Sequence, residues 1–176
     1  MRLFYGLSLP DDVRRLAASH AQALSAQFPG RYVLPENYHI TLAFLGNVPD
    51  ERIEDARSIL RRCTQDAPPL RLTLGETGFF GSRERAIVTI GVHDAPPLLP
   101  LHQSLIHALD DAGLPADHGP FSPHITLARR VSLPISPLPR CSGISFQTTE
   151  AHLYLSARNT ENILTYTPIF ATPFKA

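Results

Sequence analysis

The sequence predicts an α+β fold in which antiparallel sheets form two pseudo-symmetric lobes around a shared cleft. Three observations lead there. Strand-like and helix-like segments mix without the strict alternation of a parallel, doubly wound sheet, and short turn signals join several strands as hairpins. The same five residues also occur twice, His39-Ile40-Thr41-Leu42-Ala43 and His124-Ile125-Thr126-Leu127-Ala128, with roughly half the chain between them. Nothing else repeats detectably, so the pattern reads as an old duplication in which only the cleft-facing strands kept their letters.

Arg2 to Leu9 alternates as a first strand, and Pro10-Asp11-Asp12 opens a helix over Val13 to Phe28 that Pro29-Gly30 stops. Tyr32 to Leu34 reads as a short strand, Pro35-Glu36-Asn37 as a turn, and Tyr38 to Leu45 as the first motif strand, closed by Gly46-Asn47. Asp50 to Cys63 is a second helix. Leu70 to Leu74, Gly78 to Phe80 and Arg85 to Val92 are strands, with Gly81-Ser82 as a hairpin turn. Leu98 to Ala112 is a helix ended by Gly113 and Pro115, and the loop Asp117-His118-Gly119-Pro120 delivers the second motif strand, His124 to Val131. Leu133 to Pro139 is too rich in proline for regular structure. Ile144 to Ala157 has a strand pattern with a polar stretch from Thr148 to His152, and Ile163 to Phe170 is the last strand.

A chain of 176 residues can bury one core without staples, and a single bilobal domain over residues 1–176 is expected. Cys63 and Cys141 fit no zinc or C-x-x-C pattern and read as free thiols in a reducing compartment. No signal peptide pattern opens the sequence, and no apolar run approaches the ~18 residues of a membrane span, so a cytoplasmic protein without membrane attachment is expected. Sixteen basic residues balance sixteen acidic ones, so the composition carries no broad electrostatic footprint for long duplex nucleic acid and leaves room for one small anion. Arg83, Arg85, Arg129 and Arg130 are local candidates for such a group, although arginines beside strands are more often simply solvated.

In a strand, alternate side chains leave on opposite faces, so His39 and Thr41 share one face while Ile40 and Leu42 anchor the other; His124 and Thr126 repeat the arrangement. Neutral imidazole is a base and imidazolium an acid, and an ordinary pKa near 6.5 lets one cleft hold one of each near neutral pH. That pair suits in-line displacement at phosphorus, with one histidine taking a proton from the attacking oxygen and the other giving one to the leaving oxygen. Each Thr hydroxyl can donate to a non-bridging oxygen. A single His-x-Thr is usually structural; two in one frame point to a shared site.

A metal site needs a third ligand, and neither motif has one: Glu36 and Asp117 lie in turns where capping or solvation is the default. No Gly-x-Ser-x-Gly elbow or cysteine motif supports a nucleophile. His20, His93, His102, His107, His118 and His152 share no frame and read as surface or core fillers, His118 being the most ambiguous because its loop leads into the second motif. Phe79 or Phe80, and Tyr5, could offer a face on which a base stacks, though strand aromatics more often serve the core.

These residues resemble the 2H phosphoesterases, and within them the bacterial and archaeal RNA 2′,3′-cyclic phosphodiesterases, also called 2′-5′ RNA ligases. The matching stretches are Arg2-Leu3-Phe4, Leu34-Pro35-Glu36-Asn37-Tyr38-His39-Ile40-Thr41-Leu42-Ala43-Phe44-Leu45-Gly46, Phe121-Ser122-Pro123-His124-Ile125-Thr126-Leu127-Ala128-Arg129 and the closing Tyr166-Thr167-Pro168-Ile169. The resemblance implies antiparallel sheets lining a central cleft with helices outside, no cofactor and no metal, and hydrolysis of a terminal RNA 2′,3′-cyclic phosphate to a 2′-phosphate, with reversible 2′-5′ ligation. It implies His39 as proton donor, His124 as proton acceptor, Thr41 and Thr126 as phosphate holders, and Arg129, with Phe79 and Tyr5, as substrate contacts. Strict alternation places Arg129 on the Ile125 face, so its role requires a twist or bulge. The expected partners are RNA 3′ ends or nucleotides bearing a 2′,3′-cyclic phosphate, bound by a monomer. Two rival readings are a non-catalytic nucleotide or RNA-end binding module in the same cleft, and an enzyme for another cyclic phosphate or a 2′-5′ oligonucleotide, with specificity in Gly75 to Arg85 and Pro115 to Pro123.

Overall fold

The computed structural model describes residues 1–93, 98–135, 137–141 and 143–175. Its strands are β1 (Arg2–Ser8), β2 (Arg31–Tyr32), β3 (His39–Asn47), β4 (Leu70–Phe80), β5 (Ala86–His93), β6 (His124–Val131), β7 (Ser145–Thr148), β8 (Glu150–Arg158) and β9 (Leu164–Pro173); its α-helices are α1 (Asp11–Ser25), α2 (Ile53–Thr64) and α3 (Leu98–Asp111). The strands pair antiparallel in the order β7-β4-β5-β6-β3-β1-β8-β9, with β2 added on β6.

The sheet consists of two four-stranded halves, each ending on a motif strand at the centre. One half is β9-β8-β1-β3 and the other β6-β5-β4-β7, and they meet at a single residue pair, Ile40 opposite Ile125. The strand-helix-strand units β1-α1-β3 and β5-α3-β6 correspond across that seam. Their helices cross it: α1 packs on β6 and α3 on β3, while α2 lies against β8, β9 and α3.

Each helix presents one apolar stripe to this layer. Val13, Ala17, Ala21 and Leu24 are the buried positions of α1; Ala56, Ile59, Leu60 and Thr64 those of α2; Leu98, Leu101, Leu105, Ile106 and Leu109 those of α3. They meet Ile40, Leu42, Ile125 and Leu127, all essentially buried, so the helices and core occupy one face of the motif strands and the His-x-Thr residues the other. Among the described residues no helix is long and apolar enough to cross a membrane, and Cys63 and Cys141 are free thiols.

Several predicted boundaries move for local reasons. Helix α1 ends at Ser25, before Pro29-Gly30, because the amides of Gln27 and Phe28 both turn back to the Leu24 carbonyl. The separate strands predicted at Leu70 and Gly78 are one strand, β4, whose register against β5 slips by a residue between Leu74 and Thr77. The β4–β5 connection is longer than a Gly81-Ser82 turn and includes a 3-10 turn at Arg83–Arg85. The strand predicted over Ile144 to Ala157 divides at Thr149: β7 joins β4 at one end of the sheet, and β8 joins β1 in the other half. Within the irregular proline-rich stretch, Ser136 lies outside the described residues.

Candidate active site

Across the seam, the pairing of Ile40 with Ile125 sets His39 beside Thr126 and Thr41 beside His124. The four polar side chains thus form a square with the histidines on one diagonal and the threonines on the other. Diagonal neighbours across antiparallel strands are about 7–8 Å apart, a spacing that lets both imidazoles address one group from opposite sides. All four residues line a common cavity of about 460 Å³.

The histidines are oriented alike. His39 Nδ1 lies 2.7 Å from the Asn37 carbonyl and His124 Nδ1 lies 2.7 Å from the Ser122 carbonyl. A carbonyl can only accept, so Nδ1 carries the hydrogen in each ring and Nε2 faces the cavity. The Thr41 hydroxyl donates to His39 Nε2 at 3.1 Å. In both copies the orienting carbonyl belongs to the residue two positions before the histidine, so the strand's own entry sets the tautomer.

Their surroundings differ. The Phe4 ring lies 4.7 Å from His39 and Tyr166 meets it edge-on at 5.0 Å, whereas His124 has the edge of Phe80 at 4.9 Å. Burial pushes the His39 pKa down to about 4; the Asn37 carbonyl offsets part of this, and repulsion from His124 and Arg129 adds to it. Burial also lowers His124, again opposed by its carbonyl partner and reinforced by Arg129. Both rings are therefore neutral in the free protein near pH 7.

Arg129 reaches the cavity because β6 carries the bulge that alternation required. Val88 pairs Ala128 while Thr89 pairs Thr126, so Leu127 is an extra residue, and Leu127 and Ala128 are both buried. The next side chain, Arg129, returns to the histidine face and lines the cavity. The first copy bulges at the same letter: Tyr5 pairs Ala43 while Gly6 pairs Thr41, leaving Leu42 extra and turning Phe44 toward the cavity.

Two expected substrate contacts are corrected. Tyr5 is fully buried, with its hydroxyl donating to the Ala56 carbonyl at 2.7 Å and its pKa raised by burial, so it joins β1 to α2 rather than meeting a ligand. Phe79 does not line the cavity; the Arg83 guanidinium sits 5.0 Å over its ring, and its neighbour Phe80, on the opposite side of β4, is the one beside His124. Sequence reasoning missed Arg2, Phe4, Phe44, Arg158 and Tyr166 as lining residues. Four of these lie in or beside the stretches that carry the family resemblance; Arg158 carries no local signal.

Four of the six other histidines have local partners: His20 contacts Thr77, His102 donates to the Leu42 carbonyl, His118 faces Asp110, and His152 lies beside Glu150 and Ser8. Among the described residues no cluster of three or more His, Cys, Asp or Glu side chains is placed to hold a metal ion.

Two antiparallel halves, each bringing one His-x-Thr strand to a common cavity, define the 2H phosphoesterase class. The sequence profile of the 2′-5′ RNA ligase superfamily matches residues 10–157, and the chain belongs to that family. An RNA 2′,3′-cyclic phosphodiesterase of Escherichia coli (strain K12) is 36% identical over 160 residues, covering 89% of this chain and 87% of the relative. Its counterpart in Thermus thermophilus is 34% identical over 153 residues, covering 83% and 75%. The crystal structure of E. coli LigT complexed with 3′-AMP matches with a TM-score of 0.82 at 29% identity, covering 99% of this chain and 98% of that one.

Proposed function

We propose that the chain is an RNA 2′,3′-cyclic phosphodiesterase working as one bilobal domain, in which the diagonal histidines carry out acid-base catalysis on a terminal cyclic phosphate. The relatives bearing that name support the activity, and the nucleotide bound by E. coli LigT supports the substrate class. The observation that carries the mechanism is the square: two imidazoles oriented by carbonyls, with hydroxyls on the other diagonal, around one cavity.

In the proposed step His124 Nε2 removes a proton from water as the water oxygen attacks phosphorus. The bond from phosphorus to O3′ breaks, and His39 gives its Nε2 proton to that oxygen, leaving a 2′-phosphomonoester and a 3′-hydroxyl. His39 must be protonated first. Burial and the Arg129 cation oppose that charge, and an anionic phosphate seated beside Arg129 counters the repulsion. Thr41, Thr126 and Arg129 donate to the non-bridging oxygens as charge builds there. With a 5′-hydroxyl in place of water, His124 takes the hydroxyl proton as that oxygen attacks phosphorus, the bond to O3′ breaks and O3′ takes the His39 proton, giving a 2′-5′ linkage; by microscopic reversibility the same groups can cleave it.

The test is hydrolysis of an RNA oligomer ending in a 2′,3′-cyclic phosphate, with the product phosphate located. His39→Ala and His124→Ala should each lower kcat by about 10²–10⁴-fold. Tight binding of a 2′-phosphorylated nucleotide without turnover would replace the enzyme with a binding module, and full activity in either variant would remove the acid-base assignment.

A further inference from the structure

The cavity holds more positive charge than one cyclic phosphate requires. Arg2, Arg129 and Arg158 all line it, and no aspartate or glutamate does, although acidic and basic residues balance over the whole chain. None of the three is paired with a carboxylate among the described residues; the salt bridges there use other cations.

Their placement divides them into two groups. Arg129 stands on β6 beside the histidine square. Arg2 and Arg158 come from β1 and β8, one and two strands beyond β3 in the other half. Adjacent strands are about 4.8 Å apart, so Arg158 springs from a strand about 10 Å from that of His39. The pairing of Leu3 with Leu155 sets Arg2 next to Ser156, which also lines the cavity, with Arg158 one step further along the same face.

Both guanidinium groups are held without losing their charge to an acid. Arg2 lies over the Phe44 ring, 5.0 Å from its centroid, and Arg158 donates to the Asn162 carbonyl at 2.6 Å. A guanidinium has five N–H donors, so each keeps most of its donors for an anion. A 2′,3′-cyclic phosphate carries one negative charge, and Arg129 already faces it.

We propose that Arg2 and Arg158 form a second anion subsite that takes the phosphodiester on O5′ of the terminal nucleoside, making the preferred substrate an RNA chain rather than a free nucleoside cyclic phosphate. This rests on the phosphodiesterase reading above and adds to it the group that tells an RNA end from a mononucleotide. Ser156 supplies a hydroxyl between the two arginines.

The experiment compares kcat/KM for three substrates: a nucleoside 2′,3′-cyclic phosphate, the same compound with a 5′-monophosphate, and a dinucleotide carrying the cyclic phosphate at its 3′ end. In the wild-type protein the dinucleotide should be favoured over the nucleoside compound by about tenfold to a hundredfold, the scale of one or two charge-assisted hydrogen bonds. The ratio should fall toward one in the double variant Arg2→Gln, Arg158→Gln, while Arg129→Gln lowers activity on all three and keeps the ratio. Because a ratio cancels any general loss of folded enzyme, a weakened double variant still reports. As a second measurement, added salt should depress kcat/KM of the wild-type protein more steeply for the dinucleotide than for the nucleoside compound.

Equal kcat/KM in the wild-type protein, or an unchanged ratio in the double variant, would overturn the subsite and leave the phosphodiesterase reading intact. A gain with the 5′-monophosphate but none with the dinucleotide would overturn the assignment to a chain phosphodiester. Failure of the wild-type protein to hydrolyse any of the three would instead overturn the phosphodiesterase reading and this subsite with it.

Discussion

Replacing Asn37 with leucine should loosen the wall of the cavity and lower activity together. Asn37 is buried, and its amide acts as a two-residue strand extension toward β9: Nδ2 donates to the Leu164 carbonyl at 2.8 Å, and Oδ1 accepts from the Tyr166 amide at 3.0 Å. Leucine has similar bulk and neither function, so both β9 groups lose their partner. Each lost bond, with the residual cost of an unpaired group, is worth about 1–2 kcal/mol, giving about 2–4 kcal/mol in all. For a chain of this size that is about 4–16 °C in Tm. Tyr166 stands edge-on to His39, and the Asn37 carbonyl holds His39 Nδ1, so a slipped β9 also disturbs the proposed acid; kcat should fall about tenfold to a hundredfold. Asn37→Asp sharpens the test. It keeps the acceptor for the Tyr166 amide and brings a negative charge near His39, which should raise the His39 pKa and, because His39 acts in its protonated form, raise the activity retained on the alkaline side of the pH-rate profile. Urea unfolding and steady-state kinetics read both effects. An Asn37→Leu protein within about 0.5 kcal/mol of wild type, with unchanged kcat, would refute the clamp.

Three further outcomes follow from the same geometry. Tyr5→Phe should cost about 1–2 kcal/mol in unfolding free energy through loss of the bond to Ala56, with unchanged kcat/KM; a kinetic defect in the folded variant would restore Tyr5 as a substrate contact. Gly6→Ala would set a Cβ 3.0 Å from the Ile40 carbonyl oxygen and 3.4 Å from the rings of Phe4 and Tyr154, so a loss of about 1–3 kcal/mol is expected on thermal unfolding, and a variant as stable as wild type would contradict that packing. The depressed His39 pKa makes stability depend on pH. The unfolded chain takes up this proton near pH 6.5 and the folded protein only near pH 4, so the contribution is full above about 6.5 and is lost as pH falls toward 4, by up to about 3 kcal/mol. Urea midpoints between pH 7 and 4 should therefore fall more steeply for wild type than for His39→Gln; parallel slopes would count against a buried neutral imidazole.

Much of this site is legible in the sequence because its chemistry is local. The polar face of each motif strand follows from alternation over three residues, and β6 begins and ends where the pattern places it. Other features depend on long-range pairing. Arg2 and Arg158 approach one cavity only because β8 lies against β1, after the chain has left β4's edge at Thr149, and no local pattern announces that crossing. The polar stretch from Thr148 to His152 marks the place without giving the destination. Tyr5 and Phe79 misled for a related reason: an aromatic in a strand looks the same whichever face the core takes.

The bulges were nearly readable, and they explain how identical words acquire different work. A strand that alternates strictly does not put two apolar residues in succession on a polar-faced edge, yet Leu42-Ala43 and Leu127-Ala128 do so in both copies. Each pair absorbs one extra residue and returns the sixth position to the histidine face. There the copies diverge, with Phe44 in one and Arg129 in the other. One half thus adds an aromatic ring on which Arg2 rests, and the other adds a cation beside the square. Together with Phe4 and Tyr166 closing on His39 alone, this gives two imidazoles with the same tautomer and the same four following residues but unequal burial. The acid and base roles proposed above set the two rings to different tasks, and the difference in their surroundings comes from Phe4 on β1 and Tyr166 on β9 rather than from the repeat itself.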